Sequence, residues 1–157
     1  MNVETQRISP APIRKSLRVR ATRQKAFDTF FGAMGSWWLK SHSLIESGQK
    51  DVVIEPRPGG RWYEVGNDGN EQPWGKVLAW EAPERVLLAW QLNSEFAYDP
   101  ACETTIEVHF TEDGDHTLVY FEHRDLERFG GAAEATRQGM DGGWGELLAG
   151  YQAAAEA

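Results

Sequence analysis

From residue 13 the chain alternates apolar and charged side chains. Ile13, Leu17 and Val19 oppose Arg14, Arg18 and Arg20, which predicts a strand with one buried face. Thr22 stands where a helix N-cap belongs, and Ala26, Phe27, Phe30 and Phe31 follow at helical spacing. Gly32 and Gly35 interrupt that helix, and SWWL after them predicts a second short one. From residue 50 the period returns to two. DVVIE, RWYEV, WGKVLAW, RVLLAWQL, ETTIEVHF and TLVYFEH are strand-like runs separated by PRPGG, NDGNEQP, EAPE and TEDGD, all turn compositions. Strands in series with such short links form an antiparallel meander. Residues 129–157 are the one long helical stretch after it. A sheet with one apolar face must be covered, and this helix is long enough to do so. The order therefore predicts an α+β fold: strand, two short helices, meander, long helix.

Alternation also assigns faces. Thr104, Ile106, Val108 and Phe110 point one way, and Glu103, Thr105, Glu107 and His109 the other, so the first set is inward. Val86, Leu88, Trp90 and Leu92 are inward by the same logic. If Arg61 points to water, Trp62 and Glu64 point inward. Val119, Phe121 and His123 form the less clear-cut inner set of their strand, since Leu118 and Tyr120 are also large. Glu64 and His123 thus fall on an otherwise apolar face, where an ionisable group is costly unless it is partnered. Three readings stand open for them: hydrogen bonding to core neighbours, orienting a ligand's polar end, or acid–base catalysis.

The terminal helix carries GMDGGWGELLAGY, residues 139–151. Projected at about 100° per residue, Met140, Trp144, Leu147, Leu148 and Tyr151 form one stripe. Gly139, Gly143 and Gly150 form a bare strip beside it. Gly142 and Gly145 lie on the polar side and predict a weak point in the helix, since each glycine costs up to about 1 kcal/mol relative to alanine.

Composition narrows the function. The 157 residues suit one domain, 13–157, after a loose tail at 1–12. A formal charge of −8 and a pI near 5.0 disfavour nucleic acid and anionic membranes. No apolar run is long enough for stable membrane insertion, and the N-terminus has no apolar signal core, so a cytoplasmic protein is expected. One cysteine, Cys102, excludes an internal disulfide and a thiolate zinc cluster. The four histidines lack HExxH spacing, and alternation puts His109 and His123 on opposite faces, so no metal is expected. GMDGGWG has no preceding strand and no Lys, and so is not a phosphate loop. The arginines at 14, 18 and 20 read as a solvated strand face.

Four motifs in order, VVIEPRPGGRWYEV, WGKVLAWEAPERVLLAW, TLVYFEHRDL and GGWGELLAGY, resemble the bacterial stand-alone proteins similar to the activator of heat-shock-protein-90 ATPase. These belong to the START/SRPBCC superfamily, which is similar to the birch pollen allergen fold. The resemblance covers roughly residues 13–153. It implies a helix-grip fold, with a curved antiparallel sheet around a long C-terminal helix and a cavity between them. It also implies a small hydrophobic ligand. The catalytic residues of the superfamily's enzymes do not map onto this chain.

Combined with the face assignments, this makes a binding module the first expectation. Trp62, Glu64, Trp90, Val108, Phe121 and His123 would form the sheet wall of the cavity, and Met140, Trp144 and Leu148 its helix wall, with no cofactor. An enzyme of cyclase, hydrolase or isomerase type using Glu64 and His123 is the rival. A chaperone-related interaction module is the third reading, and a homodimer is left open.

Overall fold

Why the inner faces assigned above all meet is evident from the sheet. The computed structural model describes residues 10–157, so the expected tail lies outside the described residues except for its last three positions. Seven strands form one antiparallel sheet: β1 (Ile13–Val19), β2 (Gln49–Ile54), β3 (Arg61–Gly66), β4 (Glu71–Glu81), β5 (Arg85–Trp90), β6 (Thr104–Asp113) and β7 (His116–Arg124). Their order is β1-β7-β6-β5-β4-β3-β2. The six later strands are the expected meander. The first strand closes onto the last, with Ile13 opposite His123 and Val19 opposite Thr117. β1 and β2 therefore lie at opposite edges, and α1 (Arg23–Gly32) and α2 (Met34–Trp37) carry the chain between them.

The sheet curls into a half-barrel. Register shifts between Trp62 and Tyr63 and between Val77 and Ala79 bend its central strands. Gly75 permits the first of these bends. A Cβ there would stand 1.8 Å from the carbonyl oxygen of Ala89, so only glycine fits so close to the neighbouring strand.

The helix α3 (Ala133–Glu156) lies in the curl. Met140, Trp144, Leu147, Leu148 and Tyr151 are buried, as their stripe predicts. Two features differ from the expectation. Residues 126–132 form a tighter 3-10 turn with Gly130 at φ 70°, so the α-helix starts at residue 133. The helix also runs unbroken through Gly142 and Gly145, because tertiary contacts hold it on both sides of them. Tyr151 donates a 2.7 Å hydrogen bond to the carbonyl of Ala26 in α1. Gly150 lets α3 approach α2, since a Cβ there would be 3.1 Å from the Trp37 carbonyl oxygen.

Thr22 caps α1 by accepting from the Lys25 amide at 3.1 Å, and Ala26, Phe27, Phe30 and Phe31 are its buried positions. The arginines of β1 lie on the outer face, where Arg14 meets Glu122 at 3.1 Å and Arg18 meets Asp113 at 2.9 Å. His109 is also on that face, beside Glu107, away from the buried His123. No helix among the described residues is long and apolar enough to cross a membrane.

Candidate functional site

A cavity of about 270 Å³ lies between α3 and the sheet. α3 supplies Gly139, Met140, Gly143, Trp144 and Leu147. The sheet supplies Trp74 from β4, Trp90 from β5 and Leu92 just beyond it. The segment after α2 supplies Trp38, His42 and Leu44, and the loop between β5 and β6 supplies Phe96. Four indoles therefore dominate the wall. Trp38 and Trp74 lie 4.6 Å apart between ring centres, tilted by 43°. Trp38 and Trp144 meet edge to face at 5.7 Å, and Trp90 and Trp144 at 5.6 Å. Such offset and edge-on arrangements are the favoured ones for aromatic rings.

The glycine strip of α3 acquires its reason here. Gly139 and Gly143, one helical turn apart, present bare backbone to the open volume. Nothing lies within 4 Å of a Cβ built at Gly139, and only His42 Nε2, at 3.9 Å, near one at Gly143. Beyond Phe96, Gly139 and Met140 the cavity adjoins a shallower groove that includes Ser94, Glu95 and Thr136. Phe96 is 44% exposed and holds φ 59°, a left-handed conformation uncommon for a bulky residue.

Of the residues expected at the site, Trp90, Met140 and Trp144 line this cavity. Trp62, Val108, Phe121 and Leu148 are buried in the core around it. Trp62 packs against both Trp74 and Trp90 at 5.6 Å, and Phe121 against Trp144 at 4.5 Å. They support the wall without reaching the open volume.

Glu64 and His123 are fully buried and neither reaches the cavity. Glu64 accepts four hydrogen bonds: from Ser43 Oγ at 2.8 Å, the Leu44 amide at 2.7 Å, Gln49 Nε2 at 3.1 Å and Trp74 Nε1 at 3.3 Å. Its carboxylate thereby fastens the segment carrying Leu44 to the sheet, without any cation among the described residues.

His123 sits in a different network that shares no partner with Glu64. Trp144 Nε1 donates to His123 Nδ1 at 3.2 Å, which makes Nδ1 the acceptor and places the ring proton on Nε2. Nε2 then donates to Thr104 Oγ1 at 2.7 Å, and Thr104 in turn donates to the Trp90 carbonyl at 3.4 Å. The imidazole is neutral and fully partnered. Burial pushes its pKa down to about 3. Below about pH 6.5 the unfolded chain takes up a proton that the folded chain refuses. Stability is therefore expected to fall with pH, by up to about 1.4 kcal/mol per unit from this residue, until about pH 3. Proton NMR checks it: the His123 ring resonances should stay constant from pH 7 to pH 4, and titration near pH 6.5 would refute the assignment.

The alternation of the strands led to Glu64 and His123 but not to His42, Trp38 or Leu44, which lie in an aperiodic segment. Trp74 was concealed by the irregular register of β4, and Phe96 by its place in the loop between β5 and β6. The strip of glycines beside the apolar stripe was the one sequence signal that marked Gly139 and Gly143. Among the described residues no group of three or more His, Cys, Asp or Glu is gathered to hold a metal. Cys102 is half-buried, and burial raises its pKa, the reverse of an activated thiol.

The model of the family described as "Activator of Hsp90 ATPase homolog 1-like protein" matches residues 20–156. The chain belongs to this family. Its helix-grip architecture, with an internal cavity, is a ligand-binding fold of START/SRPBCC type. Among solved structures, an anthrahydroquino-γ-pyrone synthase is 32% identical, with 92% of this chain and 96% of that chain covered and a TM-score of 0.65. The self-sacrificing resistance protein CalC from Micromonospora echinospora is also 32% identical, with 92% and 93% covered and a TM-score of 0.71. The Aha1 dimer from Colwellia psychrerythraea shares the fold at 14% identity, with 94% and 97% covered and a TM-score of 0.66. No curated protein sequence matches the chain.

Proposed function

We propose that this family member binds a small, flat, hydrophobic aromatic molecule in the cavity between α3 and the sheet. One observation carries the reading: an open volume of about 270 Å³ walled by four tryptophans and bordered by two helical glycines. Ordinary packing fills such a space, because interiors are otherwise as dense as organic crystals. Indole faces favour planar rings, and apolar burial supplies roughly 25 cal/mol per Å². The 32% identical synthase, whose product name describes fused aromatic rings, is consistent with that ligand class.

The glycine strip provides the test. Gly143→Ala adds one methyl group to the cavity wall, with only an ordinary contact to His42. The variant is expected to gain up to about 1 kcal/mol of stability from helix propensity. It should bind an apolar fluorescent probe about tenfold more weakly, because the methyl occupies ligand space. Gly145→Ala, exposed and with nothing within 4 Å, should gain similar stability and bind the probe normally. Thermal melts and probe titrations of the two variants give the answer. Equal probe affinity in both would remove the cavity as the site. Native mass spectrometry of freshly purified protein tests for a ligand already in place.

Catalysis in the same cavity is the second reading, favoured by the synthase relative. Glu64 and His123 do not serve it as an acid–base pair, since their hydrogen bonds are committed to separate networks away from the open volume. The family description suggests stimulation of a chaperone ATPase, and the Aha1 relative a homodimer. An ATPase assay at saturating protein and sedimentation analysis test these separately from ligand binding.

A further inference from the structure

Every polar side-chain atom around the cavity can be accounted for. Trp144 gives its indole N–H to His123, and Trp74 gives its own to Glu64. The indole N–H groups of Trp38 and Trp90 are buried without a partner and have essentially no accessible surface, so they do not face the open volume. The remaining wall residues are aliphatic, Met, Phe or Gly, with one exception, His42.

His42 occupies a single 3-10 turn, Lys40–His42, between α2 and β2. It is half-buried, and Ser41 Oγ lies 3.1 Å from its Nδ1. Nε2 makes no hydrogen bond among the described residues. It lies 3.9 Å from where a Cβ of residue 143 would be, beside the bare backbone strip of α3 at the cavity wall. The segment that carries it is held from behind, because Glu64 fastens Ser43 and Leu44. The cavity thus has apolar walls and one free imidazole nitrogen at a defined place, which is how a pocket orients a mostly apolar ligand.

Resting on the reading that the cavity holds an aromatic molecule, we propose that His42 Nε2 is the ligand-positioning group and binds a hydroxyl group on the ligand's ring. A hydroxyl both donates and accepts, so it satisfies Nε2 in either tautomer, whichever way Ser41 shares its proton with Nδ1. A carbonyl would satisfy only the tautomer protonated at Nε2. The same contact selects against ligands of equal shape that lack the hydroxyl, because binding them strips water from Nε2 without replacing it.

Two probes of matched shape test this: 2-naphthol and 2-methylnaphthalene. Fluorescence titration and competition give the ratio of their affinities for the intact chain and for His42→Phe and His42→Gln. The ratio is expected to drop about fivefold in favour of the methyl compound on His42→Phe, equivalent to about 1 kcal/mol for one hydrogen bond. 2-Methylnaphthalene should bind His42→Phe at least as tightly as the unaltered protein, because a phenyl ring has no nitrogen to strip of water. His42→Gln, which keeps a donor and an acceptor, should recover part of the ratio. A ratio unchanged in His42→Phe, with both probes still bound, overturns the role of His42 and leaves the cavity reading standing. Failure of both probes to bind the unaltered protein overturns the cavity reading and this inference with it.

Discussion

Replacing Glu64 with leucine is expected to cost about 3–5 kcal/mol of folding stability. The carboxylate accepts from four donors and is itself fully buried. Leucine leaves the Leu44 amide and the Trp74 indole N–H without their acceptor. Glu64→Gln is expected to cost less, about 1–3 kcal/mol, and the reason is geometric. The amide NH₂ fits on the side of Ser43 and Gln49, where a hydroxyl can rotate and a side-chain amide can turn to accept. The amide oxygen then keeps the Leu44 and Trp74 donors. Urea unfolding of the two variants measures the order. Equal losses would mean that the charge itself, not the count of satisfied donors, sets the cost. Loss of Glu64 should also loosen the segment bearing Leu44 and His42, so probe binding should weaken in any Glu64→Leu protein that remains folded.

Trp144→Ala is expected to cost about 3–5 kcal/mol, the range for removing a buried aromatic side chain. Trp144 is 4% exposed and packs against Trp38, Trp90 and Phe121. Its removal joins the ring's own volume to the cavity and leaves His123 Nδ1 without a donor. Trp144→Phe separates these two effects. It retains most of the ring packing and deletes the N–H, so its cost should be nearer about 1–3 kcal/mol. In a folded Trp144→Ala protein an apolar planar probe should bind more weakly, since one wall of its slot has gone. Unchanged affinity would show that α3 does not line the site.

Much of the fold was legible because a half-buried sheet and an amphipathic helix impose periods that survive in the chain. The inner faces of β5 and β6 follow from Val86, Leu88 and Trp90, and from Ile106, Val108 and Phe110, without any knowledge of tertiary contacts. The helix stripe from Met140 to Tyr151 is equally plain. The site was less legible. Alternation identified Glu64 and His123 as ionisable groups on the inner face, but burial on a face and exposure to a cavity are different properties. Both side chains turned out to be tied into hydrogen-bonded networks.

What the sequence determined by itself was therefore local and periodic: which residues form strands and the final helix, which faces are apolar, and that a strip of glycines flanks the large side chains of α3. Those properties depend on side-chain spacing along one chain. Tertiary structure alone decided that β1 closes onto β7 and that the segment after α2 swings Trp38 and His42 over the helix. It also left Gly139 and Gly143 bordering open space, while Gly150 packs against α2. These outcomes depend on where elements distant in sequence come to rest, and on how fully their side chains fill the space between them. A free imidazole nitrogen opposite Gly143 is a product of that packing, and no period along the chain records it.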